Sequence, residues 1–377
     1  MRLKFPLFVM AVALALASSL FGGLAEEIQV ANTISVEQLG QLMSISQVGS
    51  LVSFLTLPLI ERALGPHAML VVGIIGSGAA LLGMGLSRSI VLFSLFFLLN
   101  SVMGYIYITS NTVMLVASDP KRVRYSIPLM HLIYSVGAIA SGWYVTYLKN
   151  GVWYHGYLQT AALFVILGVI LAFQPTPPFI DRFAKRPQRL IDSFSLLKDR
   201  QFLAYLLFLI LANAIEFTNV VYPFIALTQI HHAGAKEIGL GISILHGGAT
   251  ASRLLVLPLL KKSNRAKTIL LILAFISIAA LLLFGMAPSL TIAYIAMALL
   301  GVGMGGINPI SQVLEISVWP EEILQLSNIR AMGSTVGRII IPLIISLITA
   351  SAGLAPIFTF LAVVMGLGTV ALLVFRP

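Results

Sequence analysis

Leu57-Pro58-Leu59-Ile60-Glu61-Arg62 closes one apolar run, and Leu257-Pro258-Leu259-Leu260-Lys261-Lys262 closes another, 200 residues further on. The same offset joins Glu37 to Glu237, Gly85 and Ser89 to Gly285 and Ser289, Pro120 to Pro320, and Gly137 to Gly337. Leu, Gly and Pro are common residues, so each match means little alone. One offset shared by all of them is the mark of a duplicated unit.

The repeated unit is apolar. Hydrophobic residues make up 59% of the chain and charged residues 10%, with a mean hydropathy of +1.00. Soluble domains carry about 25% charged residues, so this excess of apolar surface calls for lipid. A spanning helix needs ~20 mostly apolar residues. Twelve such runs can be read: 5–32, 38–60, 68–86, 91–115, 126–148, 153–173, 201–229, 236–260, 267–286, 290–315, 327–349 and 354–375. The expected fold class is an all-α polytopic membrane protein of twelve transmembrane helices in two six-helix bundles. The bundles are expected at 1–173 and 201–377, joined by a cytoplasmic linker at 174–200 that holds Pro175, Pro177 and Pro178.

Basic residues set orientation, because cytoplasmic loops collect Lys and Arg. One set of connections holds Arg2, Lys4, Arg62, Lys121, Arg122, Arg124, Arg182, Lys185, Arg186, Arg189, Lys198, Arg200, Lys261, Lys262, Arg265, Lys267 and Arg376; the other holds Arg88, Lys149 and Lys236. Both termini are therefore expected in the cytoplasm, in a plasma (inner) membrane. The net charge of +10 follows from this asymmetry and needs no nucleic-acid partner. Met1 to Ala25 also has the basic start, apolar run and small-residue end of a signal peptide, whose cleavage would leave eleven spans. There is no cysteine, which excludes disulfides and thiolate metal sites.

Parallel repeats of six spans, related by an axis along the membrane normal, describe one transporter architecture. The chain resembles the major facilitator superfamily over essentially its whole length. That family carries a Gly-x-x-x-Asp-Arg-x-Gly-Arg-Arg/Lys pattern between spans two and three. Glu61, Arg62 and Gly65 keep part of it, while the leading Gly and trailing basic pair are missing. The resemblance implies that these three residues act in conformational change. Proton-coupled drug exporters of the family carry Arg in span four and Gly-Pro in span five; here Asn100 and Gly137-Ala138 stand there. Asn111, the basic loop from Asp119 to Arg124 and His131-Leu-Ile-Tyr134-Ser-Val-Gly137-Ala138 look like the fucose–galactose–glucose proton symporter branch, which implies a sugar-like solute.

Polar groups inside spans cost about 2.5–3.5 kcal/mol each when ionisable, so those present are the candidate site. Glu216 lies halfway along span seven between Asn213 and Asn219. A carboxylate at that depth can carry a proton or pair with a buried Arg. His131 and Glu26 are the other proton-coupling candidates; Glu26 sits beside Glu27, where interfacial solvation is the slightly favoured reading. Arg253 and His246 are two turns apart on span eight, and Arg338 lies within span eleven. A guanidinium keeps its charge, so each arginine must meet an acid, a carbonyl or an anionic solute. Asn100, Tyr105, Asn111, Tyr134, Asn308 and Gln312 complete the expected substrate-binding set. Gly301, Gly303, Gly305 and Gly306 read as close helix packing, with a kink at Asn308-Pro309.

The composite expectation is a secondary transporter working by alternating access around a central site. It is read as proton-coupled and possibly sugar-carrying, monomeric, cofactor-free and not an enzyme. Its partners are a small-molecule substrate, protons and the lipid bilayer. Efflux of an amphipathic or anionic compound and facilitative uniport stay open. An intramembrane enzyme is disfavoured because Asp119, Asp181, Asp192 and Asp199 all fall in loops.

Overall fold

The computed structural model describes residues 4–118, 123–176, 194–259 and 265–376. These residues are helical, with no strand among them. Nine described helices are long and apolar enough to cross a membrane. One of the nine, Val36–Leu86, holds both span two and span three. Val123–Lys149 and Ala235–Leu259 are the helices of spans five and eight, more polar than the others but of spanning length. With these, the twelve expected spans are in place. The expected linker is described only at its ends, where Phe194–Lys198 forms a short 3-10 turn. Pro120, the loop cations Lys121, Arg122, Arg182, Lys185, Arg186, Arg189, Lys261 and Lys262, and most of the linker lie outside the described residues.

Three spans are broken, and two breaks have a covalent cause. Span ten is built from Leu290–Gly305 and Ile307–Val318. A helical donor for the Gly305 carbonyl would come from residue 309, which is proline and has no N–H. Span seven is built from Arg200–Thr218 and Tyr222–Gln229, and here Pro223 withholds its N–H from the Asn219 carbonyl. Span one is Lys4–Gly23 followed by Ala25–Asn32. The connection between spans two and three is a single non-helical residue, Gly65, at φ 73° and ψ 161°. That left-handed backbone strains any residue with a Cβ, and no neighbour lies near enough to crowd one.

The packing chain contacts divide into two compact units, Met1–Ser35 with Leu42–Pro187 and Val36–Gln41 with Gln188–Pro377. Matching residues do the same job in each. Ser89 Oγ accepts the Leu92 N–H at 3.3 Å and Ser289 Oγ accepts the Ile292 N–H at 3.4 Å, so both cap the helix that follows. In the first unit span five approaches span one at Gly137, where a Cβ would lie 3.1 Å from Val12 Cα. In the second, span eleven approaches span seven at Gly337, 2.9 Å from the Ile210 carbonyl. The span-ten glycines are packing residues, as expected: a Cβ on Gly301 would fall 2.1 Å from the Leu245 carbonyl oxygen. Trp143 and Tyr147 are 71% and 63% exposed, as interfacial anchors are.

Candidate functional site

In the second unit polar residues of spans ten and eleven meet Asn213 and Glu216 of span seven. Asn308 stands one residue before Pro309, at the start of the second helix of span ten. The span-ten break fixes its direction, and its Nδ2 donates to Glu216 Oε2 at 2.9 Å and to Asn213 Oδ1 at 3.2 Å. Asn213 and Glu216 are three residues apart, so they share a helix face and one amide reaches both. From span eleven, Arg338 donates through Nη2 to Asn213 Oδ1 and through Nε to the Asn213 carbonyl, both at 3.4 Å. Its guanidinium lies 5.8 Å from the Phe217 ring centroid, a cation–π distance. Arg253 donates its Nε to the Gly305 carbonyl at 3.2 Å, the oxygen that Pro309 leaves without a helical partner.

This geometry joins a cation and an anion through neutral amides. Glu216, Arg338 and Asn308 are half-buried, and Asn213 is buried. Asn219, one turn beyond Glu216, is 3% exposed, and neither its Oδ1 nor its Nδ2 finds a protein partner. His246 is half-buried on the same helix as Arg253, and Gln312 is exposed on the second helix of span ten.

The first-unit candidates are distributed more widely. The Tyr134 hydroxyl and Ser18 Oγ lie 3.2 Å apart, joining spans five and one. Asn111 is buried, its Nδ2 making only a 3.5 Å contact to Met130 Sδ and its Oδ1 having no protein partner. Tyr105 meets Phe54 edge-on at 6.1 Å between centroids. Asn100 is half-buried, and His131 is exposed on span five. Glu26 does not stand alone: Lys149 Nζ, with a side chain 5% exposed, bonds it at 3.2 Å and also bonds Glu27. Glu61 is half-buried and Arg62 exposed, both within a turn of Gly65.

One buried cluster was not among the expected site residues. Glu315 near the C-terminal end of span ten accepts from Arg330 Nη1 at 3.2 Å and from the Tyr205 hydroxyl at 3.0 Å. Its sequence signal was an acid and a base inside neighbouring spans. Tyr205 carried no signal, because a tyrosine in a span is more often an anchor.

The Major Facilitator Superfamily profile matches residues 7–325 and 213–377. The chain belongs to the Major Facilitator Superfamily. It is a multi-pass membrane transporter, in a fold for which alternating access is typical. No curated protein is found to match by sequence. Solved structures of this superfamily member's fold include a D-xylose-proton symporter, at TM-score 0.82 and 9% identity over 100% of this chain and 98% of that one. The nucleoside transporter NupG matches at TM-score 0.77 and 17% identity, again over 100% and 98%. A bacterial homolog of the human lysosomal transporter Spinster matches at 0.73 and 12%, over 99% and 93%. At these identities the likeness is one of fold.

Proposed function

We propose that this superfamily member is a proton-coupled carrier of a small hydroxylated solute, with Glu216 as the group whose protonation is tied to the solute. The observation that carries this reading is the Glu216–Asn308–Asn213–Arg338 cluster. An intramembrane carboxylate is costly unless it functions or pairs, and here an amide, not a guanidinium, is its nearest donor. Amides at Asn213, Asn219 and Asn308 offer the neutral donors and acceptors that hydroxyl groups require. Proton use by a D-xylose symporter and nucleoside transport by NupG are properties of proteins with this fold, and they supply the first solutes to try. The likeness of span five to the fucose–galactose–glucose branch points the same way. The Lys/Arg pattern supports cytoplasmic termini.

The test uses purified protein in liposomes with radiolabelled pentoses, hexoses and nucleosides. A transported solute should accumulate under an imposed pH gradient. Glu216→Gln keeps nearly the same shape without the titrating proton. It should still exchange solute at equal pH and should fail to accumulate it. Unchanged accumulation in Glu216→Gln removes Glu216 from coupling.

A further inference from the structure

Glu216 has a counterpart at the other end of one short helix. Ile307–Val318 carries Asn308, bonded to Glu216, in its first turn and Glu315, which is 3% exposed, in its last. Glu315 takes Arg330 Nη1 on both oxygens, at 3.3 and 3.2 Å, and the Tyr205 hydroxyl on Oε1 at 3.0 Å. Tyr205 belongs to span seven and Arg330 to span eleven, so the three spans that meet around Glu216 meet again here. A buried ion pair is weak support for stability, since apolar residues of similar volume often do as well. Its presence asks for another use.

Ser311 supplies the second observation. It is 0% exposed, its Oγ finds no protein partner, and its carbonyl accepts from the same Tyr205 hydroxyl at 3.0 Å. At 3.6 residues per turn, Asn308, Ser311 and Glu315 fall within about 60° of one another, along about 10 Å of helix. A hydroxyl that both donates and accepts therefore stands between the two carboxylates, in a buried place where a bridging water would satisfy it.

We propose that Glu315 is the inner proton station for Glu216, reached along this face through Ser311 and bridging water. The proposal rests on Glu216 being the coupling group. In the inward step the Glu216 O–H breaks as a water O–H forms. That water passes one of its protons to Ser311 Oγ as Ser311 releases its own toward Glu315, where the last O–H forms. One proton has moved; Glu216 ends as the carboxylate, Glu315 as the acid, and Ser311 and water are unchanged. Tyr205 and Arg330 hold the receiving carboxyl in place. The proton leaves from the Arg330 end, where the side chain is 20% exposed against 4% for Glu315.

A relay changes the rate of proton delivery and leaves the stoichiometry alone, which separates it from the coupling site. In liposomes under an imposed pH gradient, Glu315→Gln should lower the initial rate of proton-driven uptake at least tenfold. The final accumulation and the exchange rate at equal pH should stay those of the wild type. Ser311→Ala, which leaves the Arg330 pair intact, should show the same split, and Ser311→Thr should restore the rate. A wild-type initial rate in Ser311→Ala would overturn the proposal, whether or not Glu315→Gln folds. So would a loss of exchange equal to the loss of uptake in both variants, which would mark a structural cluster. If the wild-type protein itself accumulates nothing under a pH gradient, the coupling reading falls and this proposal with it.

Discussion

At the scale of single residues, the backbone decides which polar groups can meet. Pro309 removes one N–H, the helix breaks at Gly305–Ile307, and the Gly305 carbonyl goes to Arg253. Asn308 then points at span seven and bridges Asn213 and Glu216 with one amide nitrogen. Gly65 is the other residue whose backbone sets its identity. At φ 73° and ψ 161° a Cβ costs roughly 1–3 kcal/mol, with no steric clash to confuse the result. Gly65→Ala should therefore lower the unfolding free energy in detergent by that amount, and Gly65→Asn by as much, because ψ 161° lies outside the left-handed helical well that asparagine tolerates. An alanine variant as stable as the wild type would mean that the turn is free to rearrange. Glu216, Asn213, Asn308 and Arg338 were all legible as polar residues inside apolar runs. Their joining was not, because it depends on the direction in which a broken helix resumes. The pairing of Glu315 with Arg330 was hidden for the same reason: residues 15 positions apart on separate spans meet only once the spans are packed.

Between helices, small residues set the distances. Span ten presses its glycines on span eight so closely that a single methyl group has nowhere to go. A Cβ on Gly301 would sit 2.1 Å from the Leu245 carbonyl and 2.9 Å from the Ala249 nitrogen, all backbone atoms that cannot rotate away. Gly301→Ala should cost about 1–3 kcal/mol as an overpacked contact. Gly366, on span twelve, has nothing within 4 Å. Gly366→Ala should be stabilising by roughly 0.5–1 kcal/mol, through helix propensity alone. Thermal unfolding of the two variants in one detergent checks the opposite signs. The helices themselves could be read from hydropathy, with ends within a few residues: 126–148 became Val123–Lys149 and 327–349 became Ile323–Ala352. The span-ten kink was legible at Asn308-Pro309, but the breaks in spans one and seven were not, since hydropathy runs straight through them.

For the whole molecule, orientation is the property that the basic residues imply and that labelling can decide. The chain has no cysteine, so each cysteine placed in it reports alone. Arg62→Cys and Arg376→Cys should react with a membrane-impermeant maleimide only after the membrane is opened. Asn150→Cys, beside Lys149 in the opposite set of connections, should react in intact cells. Labelling of Arg62→Cys or Arg376→Cys in intact cells would reverse the orientation. The duplication that opened the sequence reading survives at this scale as matched details, the serine caps at Ser89 and Ser289 and the glycine contacts at Gly137 and Gly337.

The single-residue link at Gly65 also bears on how the protein is made. Spans two and three lie in one helical run of 51 residues, interrupted only there. A ribosome adds roughly 5–20 residues per second, so the whole of span three follows span two into the membrane within about one to four seconds. With no loop between them, no stretch of chain can wait outside the membrane while the first helix finds its place. The two must be handed to the bilayer as one parcel. Glu61 and Arg62 are the only charged side chains in this run beyond its first turn, and they are left at the fold of the parcel. An insertion at Gly65 would thus be felt first in the yield of correctly threaded protein, before any effect on the activity of the molecules that succeed.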